Sequence, residues 1–151
     1  IAAAPTHGGT NFRAVLDLQE RTLRRRSLLF LISDFVGFDK EHADILARLA
    51  RRHDVAAIRV VDPFERELPA AGWLWFQDVE GGGRQDFDTR SKSVREAWRV
   101  AAEERDRRLR EHLLRAAVDL VEIGTGQNLS ASLSEPLIKY FAMRRRRKAG
   151  A

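Results

Sequence analysis

Three acidic residues stand at or near the ends of apolar runs, where they could hold a metal ion. Asp34 and Asp62 follow the runs LLFLIS and VAAIRVV, and Glu122 lies near the end of a third run, DLVEI. In open α/β sheets, ligands bind beyond the carboxyl ends of the strands, and carboxylate oxygens suit Mg²⁺. Aspartate is also common where a strand enters a turn, because its side chain accepts backbone N–H groups. Both interpretations remain open for Asp34 on this pattern alone.

Other motifs for chemistry are weaker. No GxxxxGK[ST] sequence occurs, and the GGGR at 81–84 falls within a predicted hairpin. The chain contains no cysteine, and its four histidines show neither an HExxH motif nor a close pair. Ser33 lacks the GxSxG context of a hydrolase nucleophile. Trp73, Trp75 and Phe76 lie in an apolar run, which favours core packing over stacking on a ligand.

The elements that must position the acids alternate between helix and strand. Apolar spacing predicts the order helix, strand, helix, strand at residues 11–24, 27–33, 40–52 and 55–61. Thr10 and Asp39 have the side chains of N-caps at the two helix starts. This alternation is typical of a doubly wound, mostly parallel α/β sheet with helices on its faces.

A β-hairpin interrupts the alternation in the second half of the chain. Its strands are predicted at 73–79 and 84–87, at the edge of the sheet, because no crossover helix joins them. A long helix, a last core strand and a closing helix follow at about 92–117, 119–123 and 133–145, the last with Ser132 and Glu135 at capping-box spacing. Neither a repeat nor a linker divides the chain, so residues 1–151 are predicted to form a single domain.

The net charge of +5 is confined to the C-terminal end. Lys and Arg total 27 and Asp and Glu total 22, while the run 144–148 carries five positive charges, so the remaining residues sum to zero. A neutral body does not indicate nucleic-acid binding. The basic segment 144–151 is predicted to be a solvated, flexible tail. The longest apolar stretches fall short of the roughly 20 residues that a membrane helix needs.

Several stretches together resemble a known family. They are GGTNF at 8–12, RRRSLLFLISDF at 24–35 and LARRHDVAAIRVVDPFERELP at 49–69, with the hairpin and the DTR at 88–90 continuing the likeness over nearly the whole chain. This pattern is similar to the bacterial family catalogued as domain of unknown function 58. Members of that family carry a von Willebrand factor A-like domain and are often encoded beside MoxR-type AAA+ ATPases.

The resemblance implies a metal-ion-dependent adhesion site at one end of the sheet. Such a site combines a DxSxS loop, a threonine from a second loop and an aspartate after a later strand. Thr10 matches the threonine and Asp34 the aspartate. The implied cofactor is Mg²⁺ or a similar divalent cation, and the implied function is a non-enzymatic protein-interaction module. The implied partner is an AAA+ ATPase or its client, bound through a carboxylate.

One part of the family pattern is missing. No DxSxS sequence occurs in residues 1–151. The chain therefore looks like the C-terminal portion of a von Willebrand factor A-like domain, with the cation site incomplete and empty in this chain. Upstream membrane-spanning segments, as in other family members, would tether the domain on the cytoplasmic side. The strand at 27–33 is then expected to have an exposed edge, which pairs with a second copy or is covered by the N-terminal segment.

An enzymatic alternative is also open. A magnesium-dependent hydrolase, such as a nuclease or a phosphatase, would use Asp34, Asp62 and Glu122 around a shared cation. That mechanism needs at least two of these carboxylates at one metal position, with room for an activated water. The interaction module needs only Asp34 beside the hydroxyl of Thr10.

Overall fold

A computed structural model of the protein describes residues 11–77, 83–125 and 130–149. Within these ranges the helices are α1 (Phe12–Thr22), α2 (Lys40–Arg52), α3 (Pro63–Arg66), α4 (Lys92–Arg115) and α5 (Glu135–Ala149). The strands are β1 (Leu28–Ser33), β2 (Asp54–Val61), β3 (Trp73–Gln77), β4 (Arg84–Asp88) and β5 (Asp119–Gly124). A π-helical turn, Ser130–Ser134, leads into α5.

The main sheet has three parallel strands in the order β1, β2, β5. Phe30 lies opposite Ala56, and Arg59 lies opposite Glu122. Helices connect consecutive strands of this sheet, as parallel neighbours require. The prediction of a mixed α/β fold with a parallel sheet is therefore confirmed at this level.

The hairpin does not extend that sheet, so its predicted place at the sheet edge is wrong. Strands β3 and β4 pair only with each other, as a separate antiparallel sheet. Phe76 and Phe87 instead pack on Trp98 of α4, with ring centroids 5.2 and 5.5 Å away. Trp73 and Trp75 face away from that contact and are 66% and 59% exposed. Core packing was predicted for all three aromatic residues of β3, and it holds for Phe76 alone.

Two helix starts show how local sequence sets the boundaries. The side chain of Asp39 accepts a hydrogen bond from the His42 N–H at 3.1 Å, and His42 Nδ1 accepts one from the Asp39 N–H at 3.2 Å. This reciprocal box confirms Asp39 as the N-cap of α2. Helix α1 begins one residue later than predicted. Asn11, rather than Thr10, caps it by accepting a hydrogen bond from the Ala14 N–H at 2.9 Å.

One face of the sheet, called the covered face here, packs against α1, α2 and α4. Its core includes Leu46, Leu49 and Leu113, each only 1% exposed, together with Val55 and Ala57 of β2. Apolar side chains recur along α2 at helical spacing, so they lie on one side of the helix and pack together against the sheet. Most of the apolar burial in the described residues lies on this face.

The opposite face, called the open face here, is only partly covered. Tyr140 and Leu137 of α5 pack on Ala56, Ile58 and Val121, which belong to β2 and β5. The β1 side chains on the same face remain exposed, as the alternating exposure along that strand shows. Since β1 pairs with β2 alone among the described strands, it is an edge strand, as expected.

The C-terminal part of the chain is helical as far as it is described. Helix α5 continues to Ala149 and includes the whole basic run 144–148. Arg144 forms an ion pair with Asp54 and a hydrogen bond with the Tyr140 hydroxyl. Ser132 lies within the π-helical turn rather than at the predicted capping box. Over the described ranges, no helix combines the length and the apolar character that crossing a membrane requires.

Candidate functional site

The turn after β1 presents Asp34 at the end of the strand. Asp34 Oδ1 accepts a hydrogen bond from the Val36 N–H at 3.1 Å and lies 3.3 Å from the Ser33 hydroxyl. The Ser33 hydroxyl in turn accepts a hydrogen bond from the Phe35 N–H at 3.1 Å. These are the bonds of a turn-forming aspartate. The carboxylate nevertheless remains exposed to solvent, so the turn does not occlude it.

The backbone of this turn is strained. Phe35 has a φ of +62°, in the left-handed region that costs a non-glycine residue about 1–2 kcal/mol. Its ring is buried and contacts Phe12 and Phe38, with centroids 5.9 and 5.4 Å away. Burial of the ring thus holds a conformation that the backbone alone disfavours. Val36, the residue after Phe35, is 65% exposed.

Residues 34–39 form one wall of a cleft of about 370 Å³ at the carboxyl end of β1, called the Asp34 cleft here. The other wall comes from β2, α3 and α4 and includes Arg59, Glu65, Arg105, Arg108, Leu109 and His112. The cleft is therefore lined by charges of both signs. Cationic side chains from the α4 wall face the acidic turn, which suits a polar or charged ligand better than an apolar one.

Glu65 is a member of this cleft that departs from ordinary carboxyl behaviour. Burial raises the pKa of Glu65, and the nearby carboxylates of Asp34 and Asp62 raise it further, whereas the Arg59 guanidinium acts in the opposite direction. Together these effects place the pKa of Glu65 above the usual range for glutamate. A carboxylate that resists ionisation beside an exposed one is a common feature of ligand-binding clefts.

The residues of the cleft fit a divalent cation in part. The Asp34 carboxylate and the Ser33 hydroxyl are adjacent oxygen donors of the kind that Mg²⁺ prefers. No group of three or more metal-binding side chains exists, however, in the portion of the chain that the structure describes. A cation at Asp34 would thus need further ligands, and Thr10, the predicted one, lies outside the described residues.

A second charged cluster, called the arginine–acid network here, lies on the covered face at the carboxyl ends of β2 and β5. Arg59 donates to Asp106 at 2.6 Å, and Arg66 donates to the same carboxylate at 2.9 Å. Glu122 accepts from Arg66 at 2.6 Å and from Arg110 at 2.9 Å. The Arg59 side chain is only 7% exposed, so these partners are needed to compensate for the loss of its hydration.

The structure places the predicted acids in separate surroundings. Glu122 is held by three arginines and lines neither wall of the Asp34 cleft. Asp62 caps α3 by accepting from the Phe64 N–H at 2.8 Å, and it also lies 3.4 Å from the Thr125 hydroxyl. Asp34, Asp62 and Glu122 therefore do not form a shared metal-binding group in the described residues.

Sequence reasoning missed several residues of both clusters. Arg59 had a detectable signal, because a charge in the middle of the apolar run VAAIRVV requires a buried partner. Arg105, Arg108 and His112 recur at helical spacing and thus share one face of α4. Asp106 had no local signal, since its partners are 40 and 47 residues away.

Comparison with known proteins places the chain in a family. The sequence model described as "Protein of unknown function DUF58" matches residues 1–108. The chain belongs to the DUF58 family. The match includes β1, β2, the hairpin and the Asp34 cleft up to Arg108. The family description assigns no activity, so this membership leaves the function of the cleft open.

The relatives of this DUF58 chain are uncharacterized mycobacterial proteins. One from Mycobacterium avium is 37% identical over 84 residues, which cover 56% of this chain and 49% of the relative. Others from Mycobacterium tuberculosis and Mycobacterium bovis show the same identity over 84 residues, which cover 26% of each relative. The match thus spans half or less of each of these proteins. No solved structure matches the chain significantly.

Proposed function

We propose that this DUF58 domain is a non-catalytic interaction module that binds an acidic group of a partner protein at the Asp34 cleft. A divalent cation, Mg²⁺ or a similar ion, would be held by Asp34 and by the hydroxyl of Thr10, as the resemblance to von Willebrand factor A domains implies. The cation would supply an open coordination position for a carboxylate of the partner. The observation that carries the proposal is the strained turn that keeps the Asp34 carboxylate exposed at the mouth of a charged cleft.

The charges of the cleft support an acidic partner group. Arg105 and Arg108 line the wall opposite Asp34, and guanidinium groups bind carboxylates with good geometry. Next to the turn, exposed Val36 offers an apolar contact of the kind found beside polar anchors in interfaces. The family resemblance makes a MoxR-type AAA+ ATPase the partner class to test first.

The hydrolase hypothesis has less support. A metal-dependent hydrolase needs carboxylates that converge on a common cation, whereas Glu122 is paired with arginines and does not line the Asp34 cleft. No specific contact among the described residues favours it over binding.

The test is a titration of Mg²⁺ and Mn²⁺ by calorimetry into this chain and into the full-length gene product. Asp34→Ala is compared with Asp44→Ala, a matched control on the exposed side of α2. We expect cation binding by the full-length product, at least tenfold weaker after Asp34→Ala and unchanged after Asp44→Ala. Absence of binding in the full-length product, or binding that ignores Asp34→Ala, would overturn the cation site.

The partner is tested separately. Immobilised MoxR-type ATPase from the same organism is probed with the full-length product, with and without EDTA. We expect retention that EDTA and Asp34→Ala both abolish. Retention that survives EDTA but is lost when Arg105 and Arg108 are changed to Glu would keep the cleft as the binding site and remove the cation from it.

A further inference from the structure

Exposed arginines from three helices lie at the amino end of the main sheet, in a surface called the basic end here. They are Arg51 and Arg52 of α2, Arg115 of α4, and Arg145 and Arg146 of α5. Helices α2 and α4 each lead into a parallel strand, so their last turns must lie where those strands begin. The position of these charges therefore follows from the direction of the helices.

Helix α5 reaches the same end of the sheet at its last turns. Arg144 forms an ion pair with Asp54, the first residue of β2, which places the neighbouring Arg145 and Arg146 near the start of that strand. The segment between α1 and β1 adds a further exposed run, Arg24 to Arg26. Positive charge from four segments of the chain thus converges on one end of the molecule.

Nearby acids do not balance the basic end. Asp54 is already paired with Arg144, and Asp119, at the start of β5, also has an interaction partner. The arginines that define the basic end form no ion pair with any described residue. At the carboxyl ends of the strands, by contrast, arginines pair with acids in the arginine–acid network or face the acidic turn of the Asp34 cleft. The residues outside 144–148 carry no net charge, yet their charges are separated between the two ends.

Apolar side chains are exposed among these arginines. Leu114, beside Arg115, is 79% exposed, the highest value for a large apolar side chain among the described residues, and Met143, beside Arg144, is 39% exposed. Cationic side chains attract the phosphates of an anionic bilayer, and neighbouring apolar side chains gain free energy by entering its headgroup region. A nucleic-acid backbone would attract the arginines but would not favour burial of Leu114. The combination therefore favours a membrane surface.

We propose that the basic end docks on the surface of a bilayer that contains anionic lipid. The arginines bind the lipid phosphates, Leu114 lies at the level of the headgroups, and the sheet extends away from the membrane. Strands β1 and β2 have 6 and 8 residues, so the two ends of the sheet are about 20–26 Å apart. The Asp34 cleft, at the carboxyl end of β1, then faces away from the lipid.

This inference goes beyond the proposed function and does not rest on it. The distance between the two ends exceeds the Debye length of about 8 Å at physiological ionic strength, so their charges act separately. Docking on lipid involves neither Asp34 nor a cation, and all measurements of docking are made in EDTA without a partner protein. Failure of the cation site therefore leaves docking unchanged, and the reverse also holds.

The first experiment measures binding of this chain to vesicles by co-sedimentation. Vesicles of phosphatidylcholine with about one third phosphatidylglycerol are compared with vesicles of phosphatidylcholine alone, at about 0.1 M salt. We expect an affinity for the anionic vesicles that is at least about tenfold higher, and loss of binding at about 1 M salt, because salt screens the attraction. Equal affinity for both vesicles, or binding to neither, overturns the proposal.

The second experiment separates the basic end from net charge. The double variant Arg51→Gln, Arg52→Gln should weaken binding to anionic vesicles about tenfold or more, and Arg145→Gln with Arg146→Gln should act in the same direction. Arg84→Gln with Arg90→Gln is the matched control, because it removes two exposed arginines from the hairpin. Circular dichroism establishes that all variants are folded. If the control loses as much affinity as the other pairs, binding depends on net charge alone and the proposal is wrong.

The third experiment tests the orientation and the class of partner. Because the chain contains no cysteine, Leu114→Cys and Val36→Cys can each carry one polarity-sensitive dye. Anionic vesicles should shift the emission at position 114 to shorter wavelength and leave that at position 36 unchanged, and a shift at position 36 alone overturns the orientation. A DNA duplex and a single-stranded RNA are titrated at the same salt. Tighter binding per phosphate to either of them than to the vesicles would make a nucleic acid the partner and overturn the proposal.

Discussion

The covered face and the open face of the sheet are built from the same three strands but differ in what they exclude from water. On the covered face, three helices bury a continuous apolar core and, at the carboxyl ends, the arginine–acid network. On the open face, α5 buries residues of β2 and β5 but reaches β1 only through Phe141, so Leu28 and Ile32 remain exposed. The covered face therefore contributes most of the stability, whereas on the open face part of the apolar surface of the described residues stays in contact with water.

The difference also explains why two acids near the ends of apolar strands have different surroundings. Glu122 points to the covered face and is fixed among guanidinium groups of β2, α3 and α4. Asp34 stands beyond the end of an edge strand, with bonds only to its own turn in the described residues. An acid that is held by guanidinium groups and an acid that stays exposed are thus distinguished by their neighbours rather than by their local sequence.

The largest expected effect comes from a core deletion on the covered face. Leu46→Ala should lower the free energy of unfolding by about 3 kcal/mol, because it leaves a cavity in a close-packed region. Ile32→Ala, on the open face, should cost less than about 1 kcal/mol, because Ile32 is 62% exposed. Urea denaturation checks both values. Equal losses at the two sites would remove the contrast between the faces.

The next effect concerns the polar part of the covered face. Asp106→Asn removes the charge that Arg59 and Arg66 share, and we expect a loss of about 2–3 kcal/mol at pH 7. Glu103→Gln is the control, because its pair with Arg99 is exposed and screened by solvent and should contribute little. Chemical denaturation of both variants makes the comparison. Equal losses would show that burial adds nothing to the network.

The same acid predicts a pH dependence. Burial raises the pKa of Asp106, but its hydrogen bonds and ion pairs with Arg59 and Arg66 outweigh burial and lower it. A carboxyl whose pKa is lower in the folded state stabilises the fold fully above its unfolded pKa, about pH 4. That contribution disappears as the pH falls through the folded pKa. Stability curves of wild type and Asp106→Asn should therefore converge in acid, and curves that stay parallel would contradict this.

An intermediate effect is expected where the hairpin joins α4. Thr89 is fully buried, and its hydroxyl donates to the Gly72 carbonyl at 2.7 Å and accepts from the Ala71 N–H at 3.1 Å. Thr89→Val removes both of these bonds, but the Gly72 carbonyl keeps the Thr89 N–H at 2.8 Å and the Ala71 N–H keeps the Pro69 carbonyl at 2.9 Å. The expected loss is therefore about 1 kcal/mol. Ser93→Ala, at an exposed position, should change little. Hydrogen exchange of the hairpin amides should rise in the first variant only.

The smallest effect lies in the Asp34 cleft. The raised pKa of Glu65 means that its ionised form is disfavoured in the folded state, so the fold loses stability as the pH rises through that pKa. Glu65→Gln should therefore stabilise the protein slightly at pH 7, by about 0.5 kcal/mol or less given its partial exposure. The gain should vanish below pH 4, whereas Glu67→Gln should show no gain. Thermal unfolding at both pH values measures this, and a loss at pH 7 would refute the burial argument.

Much of the fold could be predicted from local pattern. The strand at 28–33, the helix at 40–52 and its Asp39 cap follow from apolar spacing and from one hydrogen-bonding side chain. The hairpin was also predictable as a hairpin, because the strands flank a glycine-rich turn. Its position was not, since the choice between the sheet edge and Trp98 depends on a helix that begins four residues after β4 ends.

Only one residue of the candidate site could be predicted from the sequence. Asp34 is identified by its position after an apolar strand, but Glu65, Arg105 and His112 come from other elements and meet it only when α3 and α4 pack. The exposure of Trp73 and Trp75 was missed for the same reason. An alternating strand shows that its two faces differ, and only the packing partner decides which of them is buried.

The sequence by itself determined most of the helices and strands and the charge of each segment, because these depend on neighbours within a few residues. It also determined the opposite charges at the two ends of β1. Only the tertiary structure decided which acids are neutralised and which remain available. Arg59 meets Asp106 across 47 residues of chain and Glu122 across 63. Contacts at such separations form through packing of whole elements, which no local pattern encodes.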